Sequence, residues 1–434
     1  MKIKALILSA FLFLAASLCA QEVVYVDDES CGCELVFIDG IQTTTDGTYY
    51  GFRRADGTVI APNIYLHVDE FHDGYCKVMF NDTTVGMIDR DGNTIAQCIY
   101  SSLEYPTCGR IHASIKGKHG FLDLKGNVVI PLKYRLAGEF VEDRAQVLVE
   151  VDSLTMACTF IDTNGTIVLK PIYENLMPYN GGYAPAQRYQ RWGVIDRDGH
   201  EVLPYVYENI VPLQGSLCMA GDDDGMALFD LSVPHVPYIA IKPITPFSYT
   251  WTSGIVENRI GVMRDGKYGF LDINGKEIIP CIYDETGIFR LGRTMARIGN
   301  RYGIIDTMGN TILPIEYGNT THKGIKYMYY DSLAMVEKDG KLGYVDLNGK
   351  LVIPFYFDDG YPFSQKLACV KYNEQWGYIT TEGEIFLPFI FQIASPYRWG
   401  RAEVVYMGNV SAVDLKGRCV KNCNGVIAWR DWRK

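Results

Sequence analysis

A glycine that returns about every 34 residues limits what this chain can fold into more than any other feature. With that glycine as position zero, it falls at Gly51, Gly86, Gly120, Gly193, Gly269, Gly303, Gly343 and Gly377. Small residues hold the same place at Thr159, Ala227 and Ser411. The steps between successive zero positions are 35, 34, 39, 34, 34, 42, 34, 40, 34 and 34. Such a period marks a tandem array, in which each unit covers the apolar face of its neighbour. The 434 residues would otherwise suggest about three domains.

Other positions travel with the glycine. An Asp follows at three (Asp89, Asp123, Asp196, Asp272, Asp306, Asp346) and a Gly at six (Gly92, Gly126, Gly199, Gly275, Gly309, Gly349). A proline is frequent at eleven, as in Pro131, Pro204 and Pro280, and an aromatic stands at fourteen, as in Tyr134, Tyr207 and Phe391. Asp-x-x-Gly is the signature of a type I turn closed by a left-handed glycine, and it predicts a hairpin. Phe270-Leu271-Asp272 reads as the strand before that turn, and Glu277-Ile278-Ile279 as an apolar strand after it, stopped by Pro280. Segments such as Ala402-Glu403-Val404 alternate with period two and supply one more strand. The prediction is all-β: about eleven three-stranded meanders in an open, curved superhelical array, with two propeller-like rings as the alternative. Propellers close with about four to eight blades, which disfavours a single ring.

These residues resemble the WG β-repeat proteins of bacteria, whose units read Trp-Gly-aromatic-Ile-Asp, then Gly, an aliphatic pair with Pro, and Tyr. Trp192-Gly193-Val194-Ile195-Asp196 and Trp376-Gly377-Tyr378-Ile379 match most directly, and Tyr50, His119, Tyr268 or Tyr302 replace the Trp elsewhere. The resemblance spans residues 45–425. It implies a fold and carries over no activity.

Residues 1–20 read as a secretory leader, with Lys2 and Lys4 before an apolar core and Leu18-Cys19-Ala20 at the cleavage site. Lipid attachment through Cys19 is the less favoured variant, because Leu18 is large for the residue before a lipidated cysteine. The expected divisions are a capping segment 21–45, repeats one to six over 46–230, an irregular insertion 231–260, repeats seven to eleven over 261–425, and a tail 426–434. Export makes disulfides plausible for Cys31/Cys33 and Cys419/Cys423, while Cys76 and Cys218 fall where other repeats place Ala and read as core residues.

Function is less legible. A net charge of −10 argues against nucleic acid as partner, since phosphate binding needs a basic face. No segment after the leader is long enough to span a membrane. The recurring Asp is explained by its turn, as is Gly221-Asp222-Asp223-Asp224-Gly225, which lacks the loop and closing Glu of an EF-hand. The seven His residues form no metal or catalytic motif, so neither metal nor cofactor is expected. Tyr50, Trp192, Tyr268, Tyr302 and Trp376 share one phase and would form a row on stacked repeats. That row is the candidate binding face, for sugar rings or a partner's apolar strip; the competing reading has each ring pack over a neighbouring glycine. The expectation is an exported, non-catalytic scaffold for a protein or glycan of the cell envelope. An envelope enzyme such as a glycosidase, with its site in the central irregular segment, is the alternative.

Overall fold

A computed structural model of the chain describes residues 23–28, 33–233, 241–318, 329–398 and 400–421. The leader, Cys19 and the tail 426–434 lie outside the described residues. Among those residues there is no helix, and the strands form eleven separate antiparallel sheets in chain order. Each sheet carries one zero position, so sheets and repeats coincide.

Unit three shows the plan. A two-residue lead strand, Ser102–Leu103, pairs with Ile111–Ile115, which pairs with the glycine strand Lys118–Leu122, which pairs with the proline strand Val128–Tyr134. The three long strands are those expected from sequence; the lead strand makes a fourth in most units. Unit four is reduced to Ala145–Glu150 and Met156–Ile161, with isolated bridges such as Cys158 to Tyr173 in place of its outer strands. The expected capping hairpin forms: Val23–Asp28 pairs with Cys33–Ile38 and extends the first sheet to five strands. Within the segment expected to be irregular, Trp251–Val256 is a strand, bulged between Thr252 and Ile255, that pairs with Arg259–Arg264 in the seventh sheet.

The glycine is required by a crossing of backbones. His119 pairs with Tyr134 and Phe121 with Ile130, so Pro131, Leu132 and Lys133 together lie opposite Gly120 alone. A Cβ on Gly120 would stand 2.6 Å from the Ile130 carbonyl oxygen. The same contact, at the same 2.6 Å, recurs at Gly193 with Leu203, Gly269 with Ile279 and Gly303 with Leu313. Proline does not stop the strand, contrary to the sequence expectation: Val128–Tyr134 and Glu277–Tyr283 run through Pro131 and Pro280. The bulge leaves that position without a ladder partner, so the missing N–H is not felt, and proline with a bulge also blunts the sheet's outer edge. Unit four is the exception that fits. Thr159 occupies the zero position, its hydroxyl donates to the Leu169 carbonyl at 2.6 Å, and the proline strand gives way to bridges.

Core packing lies between sheets, not within them. Ten apolar clusters each join two successive units, for example Phe121, Ile130 and Tyr134 of unit three with Phe140, Ala145 and Ile161 of unit four. The cluster of Leu228, Tyr249, Ile260 and Leu271 carries this packing across units six and seven, where the period stretches most. Eleven sheets with ten such interfaces among the described residues make an open array. The ring after the zero position meets a ring of the next unit edge-on or tilted in Phe52–Phe71, Phe121–Phe140, Phe160–Tyr179, Phe270–Phe289, Tyr344–Phe363 and Tyr378–Tyr397, with centroids 4.6–5.2 Å apart. Each such pair adds about 0.5–1.5 kcal/mol beyond its buried area. Tight turns are also linked along the array: Gly292 N–H donates to Glu257, Lys366 N–H to Asp331 and Gly400 N–H to Gln365, each bond reaching 35 residues.

Because the crossing leaves no room for a methyl group, Gly303→Ala should lower local stability by about 1–3 kcal/mol. Hydrogen exchange is the suitable measurement, and faster exchange should be confined to units seven to nine, as expected of nearest-neighbour coupling. An unchanged exchange pattern would contradict the steric account.

Candidate functional site

The aromatic row expected from sequence is real in phase but does not form one surface. Tyr50, Trp192, Tyr268, Tyr302 and Trp376 stand in sheets one, five, seven, eight and ten, each paired across its bulge with the aromatic at position fourteen: Tyr65, Tyr207, Tyr283, Tyr317 and Phe391. Tyr302 and Trp376 are 6% and 8% exposed and belong to apolar clusters. Trp192 packs against the cluster between units five and six, Tyr268 is half-buried, and Tyr50 is 39% exposed. Packing therefore claims two of the five rings outright, and Tyr50 keeps the most open face.

Another row, which the sequence reading missed, is set by register. One residue per sheet pairs with the position just after zero: Thr43, Lys77, His112, Gln146, Pro185, Met219, Gly261, Met295, Met335, Cys369 and Glu403. From unit five to unit ten the row is apolar or small and buried. Over units one to four it is polar and reaches solvent. The available signal was the replacement of Met and Cys in late repeats by Lys, His and Gln in early ones.

Side chains from neighbouring lead segments join this polar end. Lys77 Nζ donates to Glu104 Oε2 at 3.0 Å and lies 4.6 Å from the centre of the Tyr105 ring. The Tyr105 hydroxyl donates to Asp69 at 3.2 Å, and His72 packs edge-on against its ring. Burial, then the charge of Glu104, raises the pKa of Glu139. Gln146 Oε1 is buried without a hydrogen-bond partner among the described residues. The result is a strip of carboxylates, one ammonium, imidazoles and rings running from Tyr50 to Gln146 across three sheet interfaces.

His112 and His119 are bonded ring to ring, Nε2 to Nδ1 at 3.0 Å. Burial, and then the neighbouring His119, push the His112 pKa down to about 4, against a smaller opposing pull from Glu104. The folded state thus favours the neutral imidazole, while the unfolded chain takes its proton near pH 6.5. This contribution to stability is complete above pH 6.5 and is lost as pH falls toward 4. His112→Gln places the residue of unit four at the equivalent position. Denaturation at pH 7 and pH 4.5 should show a smaller acid destabilisation in this variant than in the wild type.

Only Asp196, Asp198 and His200 gather as metal-ligand types among the described residues. They occupy one exposed turn, and hydrogen bonding accounts for two of them. Asp196 Oδ1 accepts the N–H of Asp198 and of His200, and His200 Nδ1 bonds Asp196 Oδ2 at 2.9 Å. Asn93, Asn127 and Asn310 make the same 2.9 Å bond in their own turns. Asp222 likewise accepts from the N–H of Asp224 and Gly225 in its turn. The turn role predicts that His200→Asn leaves the denaturation midpoint unchanged, whereas Asp196→Ala lowers stability by about 1–2 kcal/mol.

Cys76 and Cys218 are buried, and desolvation raises both thiols to about 12, as inert core residues require. Cys419 is disulfide-bonded. Cys31 and Cys423 lie outside the described residues.

Fold and packing define an all-β tandem-repeat scaffold. Residues 86–118, 120–150, 159–189, 192–220, 268–302, 302–341, 343–376 and 376–409 match the family described as WG containing repeat. These stretches cover more than half of the chain, which belongs to the WG-repeat family. No curated protein matches it. Among solved structures, Hsv2 of Kluyveromyces lactis is 12% identical with a TM-score of 0.31, over 58% of this chain and 93% of its own. A eukaryotic initiation factor gives 10% and 0.36, over 78% and 92%. The extracellular domain of a hybrid two-component system from B. thetaiotaomicron gives 9% and 0.22, over 92% and 68%. Likenesses of this size carry no functional argument.

Proposed function

We propose that this WG-repeat protein is an exported, non-catalytic binding scaffold whose ligand, a glycan or protein of the cell envelope, lies along the polar strip of units one to four. The observation that carries this reading is the change in the register row. A position that is buried and apolar or small from unit five to unit ten, and polar again at Glu403 of unit eleven, becomes Lys77, His112 and Gln146 in consecutive early sheets. Packing alone would favour apolar residues there, as it does at Met219, Met295 and Met335, so the polar end is explained by contact with something outside the array. The leader pattern of residues 1–20 and the disulfide at Cys419 support an oxidising, extracytoplasmic setting. No described helix is long and apolar enough to cross a membrane.

The enzyme alternative places its chemistry in the central segment. There Glu257 accepts the N–H of Gly292 at 2.8 Å, which supports a structural role for that carboxylate.

The test uses the chain from residue 21 onward on an envelope-glycan array, together with cross-linking in cells. Wild type should retain at least one envelope ligand, and Lys77→Ala combined with His112→Gln should lose it while keeping the hydrogen-exchange pattern of units five to eleven. Glycan turnover abolished by Glu257→Gln in a folded chain would overturn the scaffold reading.

A further inference from the structure

Resting on that scaffold reading, we infer that the groove between the first two sheets is a sugar subsite for a neutral or amino pyranose, and that it excludes acidic sugars. The groove has a volume of about 300 Å³ and is lined by Thr43, Tyr50, His67, Val68, Asp69 and Glu70. That volume is at the small end for ligand sites, enough for one or two sugar rings.

Five of the six lining residues bear on this recognition. Tyr50 is 39% exposed, and its strand is held across the bulge opposite Tyr65, so an open aromatic face sits on a rigid strand. Such a face suits the C–H side of a pyranose, an apolar surface ringed by hydroxyls. The acceptors are carboxylates. Tyr105 donates to Asp69 Oδ2, leaving the other oxygen to accept, and the Glu70 carboxylate has no partner among the described residues. Thr43 adds a hydroxyl. Among the described residues no Lys or Arg lines the groove, and the one basic side chain among them, His67, is held by Asp82 at 2.9 Å. Acceptors without free cations call for a ligand rich in O–H or N–H donors and free of negative charge. Sugar hydroxyls and a glucosamine ammonium meet that demand, whereas a uronate would meet two carboxylates at close range.

Calorimetry with diacetylchitobiose, glucosamine and galacturonic acid as probes, on the chain from residue 21 onward, tests the assignment. One or both of the first two should bind, and galacturonic acid should bind at least tenfold more weakly. Tyr50→Ala should weaken binding roughly tenfold, Tyr50→Phe should restore it, and Asp69→Asn should weaken it several-fold, all with unchanged thermal midpoints. Equal or tighter binding of galacturonic acid overturns the charge argument. Sugar binding that survives both Tyr50→Ala and Asp69→Asn overturns the location. No binding of any probe at millimolar concentration overturns the sugar subsite; if cross-linking in cells still captures an envelope partner through the strip, the scaffold reading stands without it.

Discussion

The structure depends on one steric crossing. In eight of the eleven units a backbone carbonyl oxygen from the proline strand lies 2.5–2.9 Å from where a Cβ on the zero-position residue would stand, too close for any side chain. Glycine permits the crossing, and the bulge that results gives proline its place, pairs the rings on either side and sets the register of the unit's outer strand. Three recurrent residue types thus follow from one contact. Where Thr159 replaces the glycine, its hydroxyl meets the same carbonyl and the outer strand is no longer continuous. That unit shows what the crossing otherwise secures.

A single sheet of this kind has no core of its own. Its apolar side chains meet those of the next sheet, through ring pairs such as Phe121 with Phe140 and through turn-to-turn bonds such as Glu257 with Gly292. Stability is therefore a sum of nearest-neighbour terms, and damage in one unit reaches only its neighbours. This arrangement also leaves room for local variation. Because each interface has its own cluster, the early units can carry Lys77, His112 and Gln146 at a position that units six, eight and nine fill with Met, without loss of the packing further along.

Much of the fold was legible because hairpin turns and close crossings restrict residue type locally. Asp123-x-x-Gly126 and the glycine phase located every sheet, including those whose zero position is Thr159, Ala227 or Ser411. The lead strands were not legible: two residues such as Ser102–Leu103 carry no period. The buried rings of Phe140, Phe289 and Tyr397 are a second recurrent motif, each 20 residues after its zero-position glycine, and their burial follows from the ring of the preceding unit that each one meets. At the candidate site, Tyr50 was named for its phase alone. Tyr302 and Trp376 shared that phase but are buried, since exposure depends on what the adjoining unit packs against each ring.

Local sequence determined the repeat, its hairpins and the boundaries of its units, because turn geometry and steric exclusion act over a few residues. Tertiary structure decided which rings are covered, which polar residues form a continuous strip and where a groove opens between sheets. Those properties belong to pairs of units. Asp69 meets Tyr105 across 36 residues and Lys77 meets Glu104 across 27, and only the stacking of one sheet on the next brings such residues within bonding distance.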